Sequence, residues 1–73
     1  MPPVDDLRAA LGHRVKDLRE GLGFSQARLA EKADLDTTYI SGIERGKRNV
    51  GLKNIAVIAQ ALGITLSELF EGV

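Results

Sequence analysis

Residues 25–45 read SQARLAEKADLDTTYISGIER, and they decide the fold. Two short helical patterns lie in this stretch, over residues 26–33 and residues 37–45, with only Asp34, Leu35 and Asp36 between them. A three-residue link between two short helices forces a sharp crossing, which is the signature of a helix-turn-helix. The inward positions are Leu29, Ala30, Ala33, Leu35, Ile40 and Ile43. Ala30 is small where the two helices must cross closely. Asp34 stands at the turn, where positive φ is required; glycine is commonest there, and Asn or Asp is tolerated. Leu35 anchors the turn in the core.

Moving outward, the other helices announce themselves by one device. In the hydrophobic staple an apolar residue just before the N-cap packs on another five positions later. Phe24, Ser25 and Leu29 fit it as staple, cap and staple, and Leu35, Asp36 and Ile40 fit it again. Ile64, Thr65 and Leu69 add a capping box, because Glu68 follows Thr65 by three residues. Val50 and Ile55 flank a weaker version with Gly51 as the cap. Upstream, Leu7, Leu11, Val15, Leu18 and Leu22 make one apolar stripe at spacings of four and three. Asp5 or Asp6 can cap that helix, and Gly21 and Gly23 can end it. The pattern predicts an all-α chain of five helices forming a single compact domain over residues 1–73.

Composition bounds the function. The chain has 73 residues, and a core of this size is marginal on its own. Without cysteine there are no disulfides, thiolate metal sites or cysteine nucleophiles. A reducing cytoplasm fits. No apolar run approaches the roughly 20 residues of a membrane span, and the start lacks the regions of a signal peptide. Neither a leader nor a further domain after Val73 is expected. Ten basic and ten acidic residues give a net charge of zero. Local charge is less even, since residues 45–53 hold four basic residues and no acidic one. Any electrostatic footprint is therefore a patch.

No constellation for catalysis emerges. His13 with Asp17 four residues on reads as a surface pair. Gly21-Leu22-Gly23 begins like a dinucleotide fingerprint but lacks the preceding strand and the third glycine. Gly46 and Gly51 have Walker-like spacing, yet Leu52 stands where the phosphate-binding lysine belongs. The carboxylates show no metal-ligand spacing, so no enzyme activity, cofactor, metal or small-molecule ligand is expected. Recognition is better supported. The polar remainder of the third helix is Thr37, Thr38, Tyr39, Ser41 and Gly42, a short hydrogen-bonding face with almost no charge. A plain solvated face usually carries Lys and Glu. Hydroxyls and threonine methyls suit base edges.

The stretch FSQARLAEKADLDTTYISGIERGKRN resembles the Cro/C1-type (XRE-like) helix-turn-helix family, whose domains are lambda-repressor-like. Within that family, the overlapping stretch LDTTYISGIERGKRNVGLKNIAVIAQALGI is similar to the controller proteins of restriction–modification systems, although phage repressors and antitoxins share most of the pattern. The resemblance runs from the first helix to LSELF. It implies a sequence-specific regulator of transcription that binds double-stranded DNA. Thr37, Thr38, Tyr39 and Ser41 then fall where the family reads the major groove, with Arg48 also reaching a base. Ser25, Gln26, Arg45, Lys47 and Asn49 take the place of phosphate-binding residues. Arg19 and Glu44 match a pair that ties the third helix to the first, and it is expected to be largely buried. Position 37 is often arginine in similar controllers and is threonine here, so a bidentate guanine contact is missing from that spot.

The fourth helix is apolar nearly all round, with Leu52, Ile55, Ile58, Ala59 and Leu62 on one face, and the fifth adds Leu66, Leu69 and Phe70. A filled monomer core is one account of these residues. A two-fold homodimer is the other, with Val57, Ile64, Leu66, Leu69 and Phe70 at its interface. Such a dimer places two recognition helices about one DNA turn apart, ~34 Å, and calls for a pseudo-palindromic operator. A protein-interaction module borrowing the helical fold is the alternative of a different class, and it predicts no salt-sensitive DNA binding.

Overall fold

The computed structural model describes residues 2–73, apart from the side chain of Asp5. A 3-10 turn, Val4–Asp6, leads into five α-helices: α1 (Leu7–Gly21), α2 (Gln26–Ala33), α3 (Thr37–Glu44), α4 (Leu52–Leu62) and α5 (Leu66–Leu69). No strand occurs among the described residues. Asp6 makes no side-chain cap at the start of α1, because the 3-10 turn occupies that end and the Asp6 N–H donates to the Pro3 carbonyl. The capping role considered for Asp5 lies outside the described residues.

The four longer helices end in the same way. A residue with positive φ follows each, at Gly23, Asp34, Gly46 and Gly63. The next amide then reaches back five residues: Phe24 N to Arg19 O, Leu35 N to Ala30 O, Lys47 N to Gly42 O and Ile64 N to Ala59 O, all at 2.9–3.1 Å. These closures satisfy carbonyls that a helix end otherwise leaves unpaired. Asp34 takes the left-handed conformation (φ 55°, ψ 44°) and sets the α2–α3 crossing. At the other ends, Ser25 Oγ accepts from the Arg28 N–H, Asp36 accepts from Thr38, and Thr65 with Glu68 forms the complete capping box.

One core results. Leu11 and Val15 from α1, Leu29 and Ala30 from α2, Ile40 and Ile43 from α3, Ile58, Ala59 and Leu62 from α4 and Leu69 from α5 are all buried together. α3 packs on both α1 and α2, α2 on α4, and α4 on α5. The α1–α3 contact is close enough to require glycine. A Cβ at Gly12 would press directly on the Ile43 carbonyl and lie 2.8 Å from that of Glu44. Gly46 lies similarly against Ala9 of α1.

Three apolar positions depart from the sequence expectation. Leu22, the last residue of the α1 stripe, is half exposed because the chain turns away at Gly23 before the stripe completes another turn. Leu52, placed on the inner face of α4, is 74% exposed. It opens the helix, ahead of the point where α4 meets its neighbours. Leu69, placed at a dimer interface, is 1% exposed and plugs the monomer core.

Candidate nucleic-acid interface

The interface is built on α3, whose outer face begins with two exposed residues, Thr37 and Thr38. The Asp36 cap fixes the backbone at this end of the helix, with Thr38 N–H donating to Asp36 Oδ1 at 2.8 Å. Tyr39 and Ser41 are only half exposed. The Tyr39 ring packs partly against the core, and its hydroxyl accepts a hydrogen bond from Asn54 Nδ2 at 3.1 Å. Gly42 is buried and does not belong to the free polar face. The Arg48 side chain lies over it, so that a Cβ at position 42 would sit 3.0 Å from Arg48 Cγ.

Arg48 thus folds back from the loop after α3. Its guanidinium stands 5.4 Å from the centre of the Tyr39 ring, a cation–π contact worth about 0.5–1 kcal/mol at an exposed site. Asn54 from α4, Tyr39 from α3 and Arg48 from the loop form one connected group. Arg45, Lys47, Arg48 and Asn49 are all exposed beside it. Arg45 Nε turns toward the Ser41 carbonyl at 3.4 Å, which leaves its terminal nitrogens outward. The result is a hydroxyl-bearing face flanked by cations and free of carboxylates over residues 45–53.

The start of α2 adds Ser25 and Gln26. Ser25 uses its oxygen as the N-cap acceptor at 3.0 Å, and its O–H is still available as a donor. Gln26 is partly committed inside the protein, because Nε2 donates to Glu44 Oε1 at 3.1 Å. One amide hydrogen is left for an outside acceptor, fewer than expected for a residue devoted to phosphate.

Glu44 is the centre of that inner network. Arg19 Nε donates to Oε2 at 2.7 Å and Nη2 to Oε1 at 3.0 Å, while Nη1 reaches the Phe24 carbonyl at 2.7 Å. The two side chains are 10% and 3% exposed. Hydrogen bonding to Glu44 holds the Arg19 guanidinium above its usual pKa, against the opposing effect of burial. The expected buried pair is therefore present, with Gln26 as a third member.

The candidate dimer residues divide. Leu66 and Phe70 are exposed, at 40% and 38%, whereas Val57 and Ile64 are half-buried and Ile64 packs on the core. Leu69 is used in the core, as described above. Among the described residues there is no cluster of His and carboxylates that could hold a metal, and His13 is exposed on α1. Among the described residues, no helix is long and apolar enough to cross a membrane.

Sequence reasoning missed Gly12, Asn54 and Arg14. Arg14 had a signal, since it stands in the register of the Leu7, Leu11 and Leu18 stripe where an apolar residue belongs. Asn54 carried less of a signal, because it shares the polar part of the first turn of α4 with Lys53.

The profile of the helix-turn-helix family matches residues 15–69. Control protein C.MunI of Mycoplasma is 48% identical, with 96% of each chain covered. The crystal structure of the restriction–modification controller protein C.AhdI from Aeromonas hydrophila superposes with a TM-score of 0.84 at 46% identity, covering 86% of this chain and 96% of that one. The C.Esp1396I controller tetramer, solved with its natural 35 base-pair operator, gives a TM-score of 0.84 at 38% identity over 89% of this chain and 86% of that one. The chain belongs to the helix-turn-helix family, and within it is similar to the controller proteins of restriction–modification systems.

Proposed function

We propose that the protein is a dimeric, sequence-specific DNA-binding regulator that controls restriction and modification genes from a pseudo-palindromic operator. One observation carries this reading: the exposed hydroxyl face of α3 lies beside a loop whose cations, Arg45, Lys47 and Arg48, have no acidic neighbour over residues 45–53. Hydroxyls, methyl groups and the Arg48 guanidinium serve base edges, and Arg45 and Lys47 serve phosphates. Thr37, Thr38, Tyr39 and Ser41 read the major groove together with Arg48. Ser25, Gln26, Arg45, Lys47 and Asn49 hold the backbone. The similarity to controllers, one of them solved on its operator, supports the same assignment.

A net charge of zero means that one subunit offers one basic patch. Pairing two subunits through Leu66 and Phe70 doubles the patch and supplies the two-fold axis of the operator. The protein acts by binding DNA, in keeping with the helix-turn-helix family to which it belongs. It works in the cytoplasm, where the DNA is. Selection of bound duplexes from a random pool tests the proposal. The expected product is an inverted repeat whose half-sites are centred about one helical turn apart. Recovery of no common sequence, or of a single unrepeated site, would overturn it.

A further inference from the structure

α5 is a single turn of four residues, too short to hold itself by its own backbone bonds. Three attachments fix it. Leu69 is buried in the core, the Thr65–Glu68 capping box closes the N-terminal end, and Arg14 closes the other end from α1. Arg14 Nη2 donates to the Glu68 carbonyl at 2.7 Å and Nε to the Leu69 carbonyl at 3.2 Å. These are carbonyls of the last turn, where a helix lacks internal partners and carries partial negative charge. The planar guanidinium fork serves two acceptors at once, which a lysine cannot match.

The location of this clamp gives it a role. The apolar residues that α5 and its C-cap present outward are Leu66 and Phe70, on either side of the two clamped carbonyls. Five residues further along α1, near its C-terminal end, Arg19 grips Glu44 at the end of α3. One helix therefore fixes both the proposed dimer face and the recognition helix.

We infer that Arg14 is the positioning residue for the dimer face, an inference that rests on the dimer reading proposed above. Arg14 makes no contact with the partner. It holds Leu66 and Phe70 in the arrangement that a second copy meets, and through α1 it fixes their orientation relative to α3.

Sedimentation equilibrium of the wild-type chain, Arg14→Ala and Arg14→Lys tests this, with amide hydrogen exchange read on the same samples. Arg14→Ala should raise the dimer dissociation constant about tenfold, the loss of one charged hydrogen-bonding group at a helix end. It should speed exchange at the Leu69 and Phe70 amides and leave the Ile43 amide in α3 unchanged. Arg14→Lys should fall between Ala and wild type, and it decides the matter if the alanine variant does not fold. An unchanged dissociation constant in both variants would overturn the inference, as would equal acceleration at Ile43, which marks general loss of stability. A wild-type chain that stays monomeric would remove the dimer reading first, before any variant is compared.

Discussion

Arg19 and Glu44 form a bidentate ion pair across 25 positions of sequence, and Glu44 also accepts from Gln26. Because both side chains are nearly inaccessible, neither charge can turn to water if the other is removed. Breaking such a pair costs about 3–5 kcal/mol, far more than an exposed pair contributes. Glu44→Gln should therefore lower the free energy of unfolding by about that amount in a denaturant titration. A loss below about 1 kcal/mol would place the pair in the class of exposed bridges.

Gly12 governs how closely α1 and α3 approach. Its Cβ would meet backbone carbonyls of Ile43 and Glu44, which have no rotamer to escape into. Gly12→Ala should cost about 1–3 kcal/mol by overpacking, even though alanine is the better helix former. Denaturant unfolding measures it, and a stabilised variant would contradict the close approach.

Cations at the interface should divide by role. Log affinity for the selected operator should fall linearly with log salt. Lys47→Ala should make the slope shallower by about 0.9, the amount for one phosphate contact. Arg48→Ala should instead relax the base preference at one position of each half-site, because its guanidinium is held on Tyr39 at the hydroxyl face. Titrations at several salt concentrations with both variants separate the two effects.

Leu66 is exposed in the monomer and opens α5, where an acid suits the helix dipole. Leu66→Glu should leave the fold intact by circular dichroism. It should also raise the dimer dissociation constant about tenfold or more, since a charge then enters the centre of an apolar contact. An unaffected dimer would place the interface elsewhere.

The α5 cap gives a pH dependence with a definite sign. The Thr65 backbone N–H, then its hydroxyl, hold the Glu68 carboxyl below its ordinary pKa, and the nearby Arg14 charge acts in the same direction. A carboxylate lowered in the folded state adds stability that is complete above the ordinary value. That stability is lost as pH falls through the lowered one. Arg19, raised instead, keeps its contribution throughout the neutral range. Acidification should therefore shrink the stability advantage of wild type over Glu68→Gln. The difference in unfolding midpoint between the two proteins, followed from neutral pH to about pH 3, checks the sign.

Much of the architecture was legible in sequence because its signals are local. The caps Ser25, Asp36 and Thr65, the staples around them and the turn residue Asp34 each act within six residues, and the boundaries of α2 follow from them directly. What escaped depends on which neighbour a residue meets. The apolar surface of α4 does not show which side is covered, so Leu52 was placed inward although it is exposed. Leu66, Leu69 and Phe70 look alike as apolar residues, yet only Leu69 points into the core. Gly42 falls on the polar face of α3 by sequence, yet the Arg48 side chain lies over it. The Arg19–Glu44 pair was anticipated only through family resemblance. The Arg14 clamp, which reaches more than fifty residues along the chain, was not anticipated at all.

α3 and the loop after it are proposed as the DNA face. Backbone amide shifts in nitrogen–proton correlation spectra, recorded as the selected duplex is added, test that most directly. Shifts should concentrate at residues 25–26, 37–41 and 45–49 and leave the middle of α1 unmoved. Shifts centred on α1, or none beyond those of a random duplex, would contradict it.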